Sequence, residues 1–437
     1  MYEKEEEMLD ESRKQLEQTE IPDQQIMNAI QQGLLQAKNK KRKRKNTLWT
    51  LSVAAILMLS LVTSIRVSPA FASAIASIPG MERFVDLFLI DKGLEAIIEN
   101  EYYEPIGVSQ VKDDMTFTID GVILDETGME VFYTIEAPSS IENIMYDNVD
   151  VLNDGRSLSD NAAISYGFHG QEKTNRIEEQ LSFNFAEAHQ FASKQFELKF
   201  QLKNEKKTTF NIPFTIKNDI KKGKVYSVNQ EVEMDGQKML VKKITVYPLR
   251  VAINLEFDEQ NNMEILQFED MRIEDENGEV WSSIQNGTTG FGGVENKERT
   301  YFLQSNYFNQ PKKLFFKFDK VQALPKEESY LLIDLEKKEV LNKPADGQLE
   351  VMNISNNSVE VKIPQIKENH MYELFADAKN AKGERIDMPS QSMHGDGDGE
   401  YNYTTINLDS KNIVNPIKLY FSAYPNYLDG SVSVQIK

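Results

Sequence analysis

Thr116-Phe117-Thr118-Ile119-Asp120-Gly121-Val122-Ile123 and, six residues on, Met129-Glu130-Val131-Phe132-Tyr133-Thr134-Ile135 alternate apolar and polar side chains. Successive side chains of a strand point to opposite faces, so a period of two predicts half-buried strands. Residues 196–202 (FELKFQL) repeat the pattern. No long helical stretch interrupts these runs, and an antiparallel sandwich follows more readily than an α/β fold.

Toward the C-terminus the same grammar recurs. Residues 238–241 (KMLV) with 251–255 (VAINL), and 348–351 (QLEV) with 359–363 (VEVKI), repeat the opening strand pair. A strand, Asp or Asn, Gly, strand hairpin follows in each copy, at 151–155, 273–280 and 374–386. Each copy closes on an alternating strand, at 196–202, 314–318 (LFFKF) and 417–421 (IKLYF). The period is roughly 100–120 residues, the size of an immunoglobulin-like domain. Junctions are expected at 215–224 and at 341–347 (LNKPADG).

Toward the N-terminus the period changes. Residues 73–100 carry a helical pattern broken at Pro79-Gly80 and Lys92-Gly93. Phe84, Val85, Leu87, Phe88, Leu94, Ile97 and Ile98 form its apolar face, expected to pack on the following domain. Upstream, residues 47–65 (TLWTLSVAAILMLSLVTSI) are nineteen uncharged residues. As a helix they extend about 28 Å, close to a bilayer's hydrocarbon thickness. Trp49 stands near one border, where an indole suits the headgroup region. Lys38, Lys40, Lys41, Arg42, Lys43, Arg44 and Lys45 precede the stretch, whereas 66–85 hold only Arg66 and Arg83. Positive charge stays inside, so the sequence predicts a plasma-membrane protein of one pass, N-terminus cytoplasmic and C-terminus extracellular. A soluble buried helix does not explain the cationic flank. A cleaved signal peptide has a small-x-small site in Ala70-Phe71-Ala72, but 46 residues before the apolar run exceed a usual n-region.

The domain plan is a cytoplasmic helical segment (1–46), a transmembrane helix (47–65) and a juxtamembrane helical region (66–104). Three sandwiches follow at 105–218, 219–343 and 344–437. The fold class is mainly β, with a short helical cytoplasmic segment, one transmembrane helix and extracellular tandem immunoglobulin-like β-sandwiches.

Within residues 1–46, Ile21-Pro22-Asp23 ends one charged helix and caps another. Ile26, Ile30 and Leu34 then recur at helical spacing. A lone helix of about fifteen residues is marginal in water. Its stripe has little to pack on within the segment, so it suits a membrane surface or a protein partner's groove.

Of the 437 residues none is Cys, which excludes disulfides, Cys-type zinc sites and thiol nucleophiles. Net charge is −20, against nucleic acid as a partner of the bulk. Residues 1–46 hold ten Lys/Arg and nine Asp/Glu, so 47–437 carry −21. His169, His189, His370 and His394 lack the spacing of a zinc helix. Residues 287–293 (GTTGFGG) lie among strands with no helix after them, and read as a hairpin tip rather than a phosphate loop. Asp396, Asp398 and Glu400 alternate after His394 and are a weak calcium candidate, without full EF-hand order. Tyr102, Tyr103, Phe315 and Phe316 are expected in the core. With no catalytic constellation and no cofactor implied, an enzyme is not expected.

Val67-Ser68-Pro69-Ala70-Phe71-Ala72, Ile78-Pro79-Gly80-Met81, Asp91-Lys92-Gly93 and Gly121-Val122-Ile123-Leu124-Asp125 resemble a Gram-positive family of membrane-anchored anti-sigma factors of the extracytoplasmic-function type. The family's juxtamembrane domain is formally of unknown function, and immunoglobulin-like domains commonly follow it. The resemblance implies that the cytoplasmic segment sequesters a sigma factor, with Ile21, Pro22, Ile26, Ile30 and Leu34 as the expected anchors. The zinc-binding anti-sigma type needs His and Cys, and residues 1–46 contain neither. Expected partners are thus an extracytoplasmic-function sigma factor, the lipid bilayer, and an envelope protease or ligand. The alternative is an envelope adhesion or scaffold protein with no cytoplasmic partner.

Overall fold

The computed structural model describes residues 91–141, 145–166, 174–204, 206–282, 289–293, 296–365, 373–396 and 399–437. The proposed transmembrane stretch, the sigma-binding anchors and the seven flanking cations lie outside the described residues. Among the described residues no helix is long and apolar enough to cross a membrane. The described chain is mainly β.

It begins with α1 (Lys92–Glu99), followed by β1 (Glu104–Lys112), β2 (Met115–Asp125), β3 (Gly128–Ile141), β4 (Tyr146–Asn153) and β5 (Arg156–Ser157). Then come β6 (Ala162–Tyr166), β7 (Thr174–Phe185), β8 (Gln195–Leu202) and β9 (Thr209–Thr215). These strands make two antiparallel sheets, ordered β1-β2-β3-β7-β6 and β5-β4-β8-β9. The alternation of 196–202 appears directly as burial, with Phe196, Leu198, Phe200 and Leu202 inside and Glu197, Lys199 and Gln201 half-exposed. Phe117 stacks on Tyr133 with ring centroids 4.9 Å apart, and Phe200 closes on Phe117 at 4.8 Å from the opposite sheet. The Asp154-Gly155 turn has φ of 51° and 77°, left-handed values that suit a type I′ hairpin and favour glycine.

The second unit holds β10 (Lys224–Met234), β11 (Gln237–Val246), β12 (Arg250–Phe257), β13 (Met263–Phe268), β14 (Arg272–Asp275) and β15 (Val280–Trp281). β16 (Thr289–Phe291), β17 (Glu298–Gln304), β18 (Leu314–Phe318) and β19 (Val321–Pro325) complete its consecutive strands. The third contains β20 (Tyr330–Asp334), β21 (Glu339–Asn342), β22 (Glu350–Ile354), β23 (Ser358–Pro364) and β24 (Phe375–Lys379). β25 (Ser390–Gly395), β26 (Tyr401–Asn407) and β27 (Ile417–Phe421) follow, and the chain ends in β28 (Val432–Gln435). The three repeated strand pairs of the sequence are β2–β3, β11–β12 and β22–β23, each antiparallel.

Strand pairing departs from the expected division at 343/344 in two places. In the first unit β9, the strand after β8, lies beside β8. In the second, the corresponding place beside β18 is filled by β28, from the far end of the chain. In the third, the place beside β27 is filled by β20, which follows β19 of the second unit. The two units have thus exchanged their last strands. Val432, Val434 and Ile436 lie in the core of the second unit, and Leu331, Ile333 and Leu335 in that of the third. Gln322, fully buried at the seam, accepts the Tyr424 N–H (2.8 Å) and donates to Glu269 (2.7 Å). The sequence pattern missed the exchange because alternation reports which face of a strand is buried, not which strand lies beside it.

Candidate functional site at the helix junction

Lys92-Gly93, read above as a break in the helical pattern, is where α1 starts: Asp91 is extended and Lys92 opens the first turn. Asp91 caps it, its Oδ1 accepting the N–H groups of Gly93 (2.8 Å) and Leu94 (3.3 Å). Glycine is needed because a Cβ at position 93 would lie 2.7 Å from the Ser305 backbone nitrogen. On the other side of the same turn, Lys92 pairs with Glu279 and donates to the Val280 carbonyl (3.2 Å). These contacts fasten α1 to the second unit.

The apolar face of α1 reaches the first unit as well. Leu94, Ile97 and Ile98 share a core with Tyr102, Tyr103, Ile123 and Phe132, joined by Leu249 and Phe308 of the second unit. Tyr102 donates to the Leu124 carbonyl (2.7 Å) and accepts the Lys221 N–H (3.1 Å). α1 is therefore a wedge between the two units. Of the four aromatics expected in the core, Tyr102, Tyr103 and Phe316 are buried. Phe315 is half-exposed because it occupies the outward position of β18, under the Lys317 ammonium.

Behind α1 lies a buried polar cluster. Asp125 is fully buried; its Oδ1 accepts the Thr127 N–H (2.7 Å) and hydroxyl (2.6 Å). Its Oδ2 accepts the Leu249 N–H (2.7 Å), a bond between the first unit and the second. Glu130 accepts from Gln180 and Ser182 and faces Arg250, with Nη2 to Oε1 at 3.6 Å. Arg250, 4% exposed, donates to Asn184 and lies over the Phe302 ring at 5.2 Å. Its Nε has no partner among the described residues. A Cβ on Gly128 would meet the Phe183 carbonyl at 2.4 Å and Arg250 Nη2 at 2.9 Å, so this close approach also requires glycine.

Three carboxylates, Asp91, Asp125 and Glu130, all feel the one Arg250 guanidinium. Burial raises each above its usual range, and Arg250 and the hydrogen bonds only partly offset it. Asp91 is pushed up to about 6. The cluster joins buried acids to one guanidinium and to hydroxyl donors. It is suited to holding two sandwiches and a helix in one arrangement, with a stability that depends on proton occupancy.

Sequence reasoning noted Asp125 only as the end of Gly121-Val122-Ile123-Leu124-Asp125 and did not single out Arg250. An acid closing an apolar strand ordinarily marks its exit to solvent, so the pattern held no sign of this burial. In the calcium candidate, the Asp396 carboxylate accepts the N–H groups of Gly399 (2.9 Å), Glu400 (3.3 Å) and Tyr401 (3.1 Å). Those bonds shape the loop; Asp398 lies outside the described residues. Among the described residues no three His, Asp or Glu side chains gather as a metal site.

The architecture defines a mainly β protein of two-sheet units with a helix packed between the first two. Residues 41–137 match a domain described as of unknown function (DUF4179), which begins within the cationic run and ends in β3. Residues 223–351 match a family of unknown function (DUF5643), from the start of the second unit into β22. No curated protein matches the chain. Among solved structures, a conserved domain protein from Bacillus anthracis is 12% identical, covering 55% of this chain and 84% of its own, with a TM-score of 0.36.

Proposed function

We propose that the chain is a single-pass anti-sigma factor. Its cytoplasmic segment, 1–46, sequesters an extracytoplasmic-function sigma factor, and its outer region, which we read as tandem immunoglobulin-like sandwiches, governs release. The observation that carries this reading is the asymmetry around 47–65, with seven cations on one border and an amphipathic stripe beyond them. Ile26, Ile30 and Leu34 supply groove-filling anchors at i, i+4 and i+8, and Ile21 and Pro22 set the entry of the helix. Binding without metal is consistent with the lack of His and Cys in this segment.

The junction supports a route for the signal. The chain leaving the apolar stretch reaches, at Asp91, a helix clamped between two sandwiches. A change in how those units meet, or proteolysis near them, acts on that helix first. The test uses residues 1–46 as bait. Wild-type bait should retain a sigma factor, and Ile30→Asp should lose it. Retention of no sigma factor, or equal retention by Ile30→Asp, overturns the proposal.

A further inference from the structure

The outer region is acidic, yet one end of the second unit is basic. The 216–224 linker carries Lys217, Lys221, Lys222 and Lys224 against Asp219, and Asp219 is paired with Lys194. Lys312 and Lys313 follow in the loop after Asn309-Gln310-Pro311, and Lys437, two residues past β28, bonds to Leu314 just after that loop. Between these segments lies an open groove of about 250 Å³ lined by Lys224, Tyr226, Asn306, Gln310, Leu314 and Lys437, among others.

The groove has the elements of a binding site. Val246 and Leu314 form a buried apolar floor. Lys224 spans one wall, its ammonium 4.0 Å from the Tyr307 ring centroid and bonded to the Tyr307 carbonyl. Lys437 is held to the Pro311 carbonyl (2.6 Å). Its own backbone oxygen is taken up by the Leu314 N–H (3.2 Å) and by Gln435 (3.0 Å). Asn306, 2% exposed, also lines the groove, and its carboxamide oxygen has no partner among the described residues. Burial, then the like charges of Lys437 and Lys221, disfavour the Lys224 ammonium, a crowding that a bound anion relieves. Two acids stand nearby and hold the backbone of the basic segments: Glu276 accepts the Lys312 and Lys313 N–H groups, and Glu126 accepts the Gly223 N–H.

We propose that this groove binds a phosphate ester carrying a neighbouring hydroxyl. Lysines act as point charges, suited to an anion with several equivalent oxygens, whereas carboxylate recognition favours the arginine fork. The hydroxyl supplies the donor that the Asn306 oxygen lacks. A polyol phosphate in solution and a glycerophospholipid headgroup share this chemistry.

The experiment uses the full chain in detergent micelles at low salt, with two probes. One is glycerol 1-phosphate titrated calorimetrically, with glycerol as control. The other is phosphatidylglycerol mixed into the micelles, followed by Tyr fluorescence. Saturable binding of either probe, weakened at least ten-fold by Lys224→Gln with an unchanged melting temperature, supports the site and identifies the source. Absence of saturable binding to both, or binding that Lys224→Gln and Asn306→Ala leave intact, overturns it.

Discussion

Val434→Ala tests the strand exchange between the second and third units. Val434 is fully buried, and its strand pairs with β18 through Phe316. Removing two methyl groups costs about 0.8 kcal/mol each in transfer, and the residual cavity brings the total to roughly 2 kcal/mol. If the second unit melted alone, as a body of a hundred or so residues, that loss would lower its midpoint by about 8–16 °C. If exchange makes the second and third units one cooperative body of twice the size, the shift falls to roughly 4–8 °C and both units move together. Differential scanning calorimetry reads the shift, and hydrogen exchange reads where it occurs. Amides of β18 should lose protection together with those of β20 and β27, while β2 and β3 of the first unit keep theirs. Loss confined to the second unit, with β20 and β27 unchanged, would refute the reasoning.

Other outcomes follow from the junction. Asp125→Ala leaves the buried Leu249 and Thr127 N–H groups without their acceptor, at roughly 1–3 kcal/mol each, and chemical denaturation should show it. Gly128→Ala forces a Cβ against the Phe183 carbonyl and Arg250, and should cost about 1–3 kcal/mol of stability in the same assay. Asp91 has its folded value raised from 3.8 to about 6, so its contribution is fully present below pH 3.8 and is lost as pH rises through about 6. Amide protection of α1 should therefore increase on acidification from pH 7 to 5, and Asp91→Asn should flatten that dependence. An unchanged slope in Asp91→Asn would remove Asp91 from the cluster's titration.

Much of the fold could be read from local pattern. Residues 196–202 announce β8 because each apolar side chain falls on one face, and Asp154-Gly155 announces a turn because few other pairs accept two left-handed φ values. The exchange of β20 and β28 could not be read this way. Both strands alternate correctly for either neighbour, and only the packing of two complete cores selects the partner. The junction was half legible. Leu94, Ile97 and Ile98 mark α1 as packed and Lys92-Gly93 marks where it starts, but nothing local shows that Ser305 stands against Gly93. Asp125 and Arg250 were hidden for a related reason, since a charged residue near a strand end signals solvent unless its counter-ion arrives from another unit. The proposed sigma-factor anchors and the cationic border rest on sequence alone.

The most direct test of the account is to follow the sigma factor itself. Membranes and soluble extract from cells expressing the full chain, or the chain lacking residues 1–46, are separated and the sigma factor is quantified in each. The account predicts that the sigma factor sediments with membranes only when 1–46 is present, and is freed into the soluble fraction in its absence. An equal distribution in the two strains would contradict it.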